Sequence, residues 1–501
     1  MATGAQKKGT MKKRQRILVL FVAVAVVAID GRSYADDTNA APAATVDDKI
    51  NRLEQEIQEL KHQREIDQQQ AQQPARQQPA PASETTAPSP FLMVGPDGFA
   101  IASAHSNFVL RLRGYAQADG RFYLDDKANN ATDTFLMRRV RPIFEGTLSR
   151  DFDFRLMTDL GNGAASSTLL QDAYVEWHYW PWLKVRAGKF KPPVGLEQLQ
   201  TDTDLMFVER GLPSDLVPQR DVGAQVSGSV LHGAVSYAAG IFNGVVDNGI
   251  ADVAAWNSKD GAARIFIQPF LNTDIAPLKG LGFGAGGTYG VADISATTTN
   301  LPAYKSIGQL QFFSFDKGVT LDGQQLRGTP QAYYFWGPLG VIGEYTVSQE
   351  EVRKGTVSDT LRNNAWQIEG GFFLTGETAS YRASPYVAGL TPRHPFDPAK
   401  GGWGALEIVA RFGRLDIDPQ AFSKTPAAAG LRFADPTKNA QDAREWEVGL
   451  NWYLNRNVKW VFDYEETDFN GGAGTPNGTT GYNIRNRETE RAALTRIQLL
   501  Y

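Results

Sequence analysis

The 501-residue chain contains no cysteine. That excludes disulfides, thiolate metal sites and thiol nucleophiles, and it suits an exported protein better than a cytosolic enzyme. Histidine is nearly as scarce. The five, His62, His105, His178, His232 and His394, are scattered without metal-ligand spacing, so no metal site is expected. No nucleophile elbow is present. Gly282–Gly287 fits G-x-G-x-x-G, but Thr288, Tyr289 and Gly290 follow where a helix should open. A small-residue strand, allowing close packing at a barrel or subunit wall, is the better reading. No cofactor is expected, and enzyme activity is not.

Long apolar runs are missing too. The longest, Ile17–Ile29, has thirteen residues, short of the roughly 20 that span a bilayer as a helix. It follows Lys7, Lys8, Lys12, Lys13, Arg14 and Arg16 and precedes Ser33-Tyr34-Ala35. Basic, apolar, then small-x-small is the order of an export signal peptide over 1–35. Its removal takes seven of the 51 basic residues and one of the 55 acidic ones, leaving a formal charge of −10. A basic surplus is therefore lacking, and nucleic acid is not an expected partner. Any membrane residence has to be as a closed β-barrel, the other structure that satisfies its backbone in lipid.

Two segments precede the strand-rich region. Val46, Ile50, Leu53, Ile57 and Leu60 recur at spacings of 4, 3, 4 and 3. That predicts a short coiled-coil helix within 36–66, an isolated helix being the alternative. Residues 67–104 begin Gln- and Pro-rich and read as a linker, with folded structure resuming near Phe91.

From residue 105 to 501 the dominant period is two. Leu110, Leu112, Gly114 and Ala116 alternate with Arg111, Arg113, Tyr115 and Gln117. Val140, Pro142 and Phe144 oppose Arg139, Arg141 and Glu145, and Trp446, Val448 and Leu450 oppose Glu445, Glu447 and Asn451. One charged face persists through about sixteen such runs with no helix between them. This predicts an all-β chain, a transmembrane antiparallel β-barrel of about 16 strands with a polar interior.

Connections sort into two kinds. Arg150-Asp151, Trp180-Pro181-Trp182, His232-Gly233 and Asn455-Arg456-Asn457 are tight; 191–221, 243–258, 293–330, 416–442 and 469–489 are long. Short turns on one rim and long loops on the other are the outer-membrane pattern. The stretch 376–402 breaks the parity, as a missed hairpin or an insertion. After the strand at Leu183, Pro192-Pro193 stops the ladder. The loop that follows carries Leu205, Met206, Phe207 and Val208 in its middle. A loop with its own apolar core packs against something, and here it is expected to fold into the barrel mouth and set the bore. At the C-terminus Thr495, Ile497, Leu499 and Tyr501 share a face, as in a final strand read by the barrel assembly machinery.

Several stretches resemble the phosphate-selective porin O and P family: Phe135–Arg141, Phe152–Phe154, Leu170–Val175, Gly188–Pro193 with Glu209-Arg210, Gly449–Tyr453 and Val458–Trp460. The resemblance implies a sixteen-stranded barrel, usually a homotrimer in outer-membrane lipid, with basic side chains along the pore and small anions such as phosphate as cargo. It points to Arg138, Arg139 and Arg210, and within the long loop to Lys191, Arg210 and Arg220. The stretch 293–330 departs from the family, holding only Lys305, Lys317 and Arg327 as basic residues.

Alternation by itself turns Arg111, Arg113, Arg139, Arg141, Lys184 and Arg186 inward. They either line an anion path or pair with carboxylates such as Asp119, Glu145, Asp153 and Asp159; the pattern sets the facing and not the partner. Arg138 and Arg139 cannot both face inward in a regular strand, so one belongs at a rim or in a bulge. A general or cation-preferring porin, a barrel without an open pore, and a soluble β-rich binding protein stand as the alternatives.

Overall fold

A computed structural model describes residues 90–501 apart from 96–97, 128–130, 162–168, 293–300, 383–388, 423–432 and 479–480. The signal segment and the heptad seam at 46–60 lie outside the described residues. A hairpin, β1 (Phe91–Gly95) and β2 (Gly98–Ala102), comes first. It falls within the stretch expected as linker, and β2 pairs with the start of the next strand, Phe99 opposite Leu112.

The barrel follows in chain order: β3 (Val109–Tyr123), β4 (Thr134–Leu148), β5 (Phe152–Thr158), β6 (Leu170–Trp180), β7 (Leu183–Phe190), β8 (Asp221–Val230), β9 (Val235–Phe242), β10 (Asp260–Ile267) and β11 (Leu281–Ala292). A small separate pair, β12 (Ala303–Lys305) and β13 (Gln311–Ser314), interrupts it. The wall resumes with β14 (Val319–Trp336), β15 (Leu339–Lys354), β16 (Val357–Phe373), β17 (Ala405–Asp416), β18 (Ala440–Tyr453) and β19 (Val458–Asn477). Strand β20 (Gly481–Asn486) folds back on the end of β19, and β21 (Glu490–Leu500) pairs with both β19 and β3. That last pairing closes a 16-stranded antiparallel barrel. The closure runs to the final residue, the Tyr501 N–H donating to Gly114 O at 3.0 Å.

Polarity is inverted relative to a soluble protein. Ile241 is 64% exposed and the next residue, Phe242, 2%. Phe144, Leu156, Ile265, Trp366, Val448 and Ile497 face outward, while Arg141, Arg155, Glu369, Glu447 and Arg496 are buried. An apolar outer band around a charged interior is what lipid outside and water inside require. Gly282–Gly287 lies within β11, so the glycines are wall residues.

The rims depart from expectation in three places. The loop after β11 ends at residue 318, so 319–330 belongs to β14. The stretch 469–489 is mostly strand, the end of β19 and the whole of β20. The long connection after β16, residues 374–404, is an insertion on the short-turn rim; its described residues hold a bridge and a 3-10 turn but no strand. Strand length varies around the wall. Strands β5 to β10 have 7 to 11 residues, β14 to β19 have 12 to 20.

Candidate functional site

The loop between β7 and β8, residues 191–220, folds into the barrel. Val194, Leu196, Leu205, Met206, Phe207, Val208, Leu212, Leu216 and Val217 are all buried. It crosses to the tall wall and is fastened strand by strand. The Leu196 N–H donates to Glu344 on β15 at 2.6 Å, and Gln367 on β16 donates to Glu197 at 2.9 Å. Asn451 on β18 donates to Met206 O at 2.8 Å, and Lys459 on β19 to Leu205 O at 2.8 Å. Gln498 on β21 donates to Thr203 O at 3.1 Å, and Gln117 on β3 to Asp202 O at 3.0 Å. Nearer the long-loop rim Leu212 and Leu216 join Tyr304, Phe312, Phe313, Phe422 and Phe433 from two other loops in one apolar cluster. The loop thus packs against the interior along β15 to β19.

The two walls differ in charge. Glu344, Glu350, Glu369, Glu407, Glu445, Glu447, Asp463 and Glu465 are buried on β15 to β19. Arg411 on β17 stands among them, 3.2 Å from Glu197, 3.4 Å from Glu369 and 2.5 Å from Glu447. The arginines concentrate on β3 to β7. The loop meets that wall with carboxylates. Glu209 lies 2.6 Å from Arg138, 2.8 Å from Arg121, and 3.7 Å from both Arg139 and Arg496. Asp202 takes Arg141, Arg210 at 2.5 Å and Arg139 at 3.8 Å. Burial by itself would lift both carboxyls. The guanidinium groups, Arg210 foremost for Asp202 and Arg138 foremost for Glu209, hold both well below the usual carboxylate range.

The Arg138-Arg139 problem has a geometric answer. Gln117 pairs with Arg139 but Ala118 with Met137, so Arg138 is the extra residue of a bulge. The bulge turns both side chains toward Glu209.

Many of the inward arginines have wall partners as well. Arg113 and Arg155 reach Glu145 at 3.3 and 2.6 Å, Arg141 reaches Asp159 at 2.7 Å, and Arg186 reaches Glu176 at 2.6 Å. Arg496 makes two 2.7 Å bonds to Asp119. Arg111 stands opposite Glu145 and Lys184 opposite Ser227, both half-buried.

Space is open against the short strands. A cavity of about 230 Å³ is walled by β3, β5 to β10 and the near side of the loop. Five basic residues line it, Arg155, Arg186, Lys191, Arg220 and Arg264, against two acidic ones, Asp172 and Asp202. Of the ten residues expected along a path, Arg186, Lys191 and Arg220 are here. The other seven, Arg111, Arg113, Arg138, Arg139, Arg141, Lys184 and Arg210, are not among its lining residues. Arg155 and Arg264 were not among the ten, although alternation places both: Arg155 shares the face of Asp153, and Arg264 that of the buried Ala262 and Phe266. Arg155 and Arg220 both hold Asp172, at 3.2 and 2.9 Å. Lys191 donates to the carbonyls of Gln198 and Gln200 at 2.7 Å each. Burial, with Arg210 adding to it, pushes the Lys191 ammonium well below its usual value.

The family model described as phosphate-selective porin O and P matches residues 108–478. The chain belongs to that family. Family and closed barrel together make it a bacterial outer-membrane porin of the passive kind. Solved structures similar to this porin include Salmonella typhi OmpF in complex with daunomycin, at 12% identity, covering 79% of this chain and 98% of that one with TM-score 0.47. OmpT of Vibrio cholerae is 10% identical over 79% and 98%, with TM-score 0.46. The outer-membrane channel DcaP of Acinetobacter baumannii is 9% identical over 80% and 99%, with TM-score 0.46. No curated protein sequence matches the porin.

Proposed function

We propose that this porin conducts small anions, phosphate among them, through the space between the loop 191–220 and the wall of β5 to β10. The observation that carries the reading is the surplus of five basic over two acidic side chains around that cavity. Selectivity follows local charge at a narrowing, where fixed cations replace part of an anion's hydration and repel cations. The acidic tall wall lies behind the loop and does not line this space.

The particle we propose is a homotrimer in outer-membrane lipid, delivered by a cleaved leader over 1–35 and assembled through the strand that ends at Tyr501. The heptad spacing of Val46–Leu60 supports a periplasmic coiled coil. Planar-bilayer recording across a KCl gradient tests the conduction reading. The reversal potential is expected on the anion side and should move toward the cation side in Arg264→Glu. A cation-side potential in the parent porin, or no channel at all, overturns the reading.

A further inference from the structure

We infer that the cavity beside the loop is a binding site for small aromatic carboxylates, which compete there with inorganic anions. The inference rests on the proposed anion path and names a class of cargo for it.

The first observation is which cations are uncommitted. Arg155, Arg186 and Arg220 already hold Glu145, Glu176 and Asp172. Lys191 and Arg264 touch no carboxylate among the described residues. Lys191 gives two N–H groups to loop carbonyls, and an ammonium has three. Arg264 gives its Nε and one Nη to Gln331 Oε1, at 3.0 and 2.9 Å, and the second Nη is left. The free donors suit one carboxylate. They are too few to replace the water around a phosphate dianion, whose several strongly hydrated oxygens each need a donor.

The second observation is the rest of the lining. Tyr115, Tyr174 and Phe190 line the cavity from the inward faces of β3, β6 and β7, with Met157 of β5 beside them. The Tyr115 hydroxyl donates to Asp202 at 2.9 Å, and the Tyr174 and Phe190 rings meet edge-on with centroids 6.0 Å apart, so the rings are held in place. An inorganic anion gains nothing from aromatic carbon. A flat ring carrying a carboxylate gains offset or edge contacts with these side chains while its charged end meets Lys191 and Arg264.

The test is interruption of chloride current by benzoate, acetate and phosphate, each titrated against the whole porin in a planar bilayer. Benzoate is expected to reduce the current at concentrations at least tenfold lower than acetate or phosphate. Losing one charge-assisted contact should weaken that effect about tenfold in Lys191→Gln and in Arg264→Gln. Tyr174→Leu, which keeps an apolar side chain but not the flat ring, should narrow the gap between benzoate and acetate. Unchanged heat-modifiable mobility on gels identifies the variants that still fold. If the parent channel is anion-selective yet benzoate acts no better than acetate and phosphate, the inference falls and the conduction reading stands. A cation-selective channel removes both.

Discussion

The Glu209 carboxylate, carried on the inward loop, lies 2.6 Å from Arg138, the bulged residue of β4. The bulge sets the loop's position, because the same carboxylate also meets Arg121 at 2.8 Å and, at 3.7 Å each, Arg139 and Arg496. Glu209 thus meets four guanidinium groups from β3, β4 and β21, three of which, Arg121, Arg139 and Arg496, also lie near Asp119 or Asp202. The loop is an ionic counterpart to its wall as much as a steric narrowing.

Glu209→Gln should therefore weaken the barrel and raise its anion preference together. Breaking a buried ion pair from one side costs about 3–5 kcal/mol. The amide can still accept hydrogen bonds, so a value near the lower end is expected, read as a drop in the temperature at which the barrel unfolds on gels. The reversal potential should move further to the anion side, since Arg138 loses its carboxylate and Arg121, Arg139 and Arg496 are left to share Asp119 and Asp202. The acid response has a definite sign. Glu209 and Asp202 are depressed in the folded state, so their contribution is present above the unfolded carboxyl value and is lost only as pH falls through the lower folded values. The parent loop should stay fastened at pH 4, monitored by an unchanged single-channel conductance.

Asp215 behaves in the opposite sense. It accepts from the Lys305 N–H at 2.9 Å and from Asn248 at 3.0 Å, and burial raises its carboxyl to about 7. A raised folded value means that the fold favours the protonated form. That contribution is complete below the unfolded value near 4 and fades as pH rises toward 7. Asp215→Asn cannot ionise and keeps an acceptor for the Lys305 N–H. Unfolding temperature measured from pH 4 to pH 8 should fall less steeply in the variant, which should be the more stable form at pH 8. Parallel slopes for the two proteins would refute the assignment.

The insertion at 374–404 gives a third prediction. Tyr381 donates its hydroxyl to Leu196 O at 2.7 Å and stacks on Tyr333 with ring centroids 5.1 Å apart. Next to it Arg382 lies 3.4 Å from Asp204. The short-turn rim thus holds the inward loop from below. Tyr381→Phe should cost about 1 kcal/mol and make single-channel current noisier with little change in mean conductance. Replacing 376–402 by a short glycine turn should raise the mean conductance, because it removes side chains from the mouth as well as the tether.

The period-two pattern by itself determined the barrel and the facing of its side chains. A strand has only two faces, and lipid outside with water inside forces them apart, so the alternation alone turns Arg111, Arg113, Arg139, Arg141 and Arg186 inward. The same logic required a bulge or rim position at Arg138-Arg139. It also turns Arg155 and Arg264 inward, opposite in facing to Phe154 and Ile265. Tertiary structure alone decided the partners. Glu209 meets Arg496 across a sequence separation of 287 residues because the inward loop reaches the seam where β21 closes onto β3, and no local periodicity carries that information. It also decided that Arg210 is held by Asp202 and that Lys191 and Arg264 touch no carboxylate among the described residues. Which charge an ion meets depends on distances of a few ångströms between remote segments, and those are set by where the loop comes to rest.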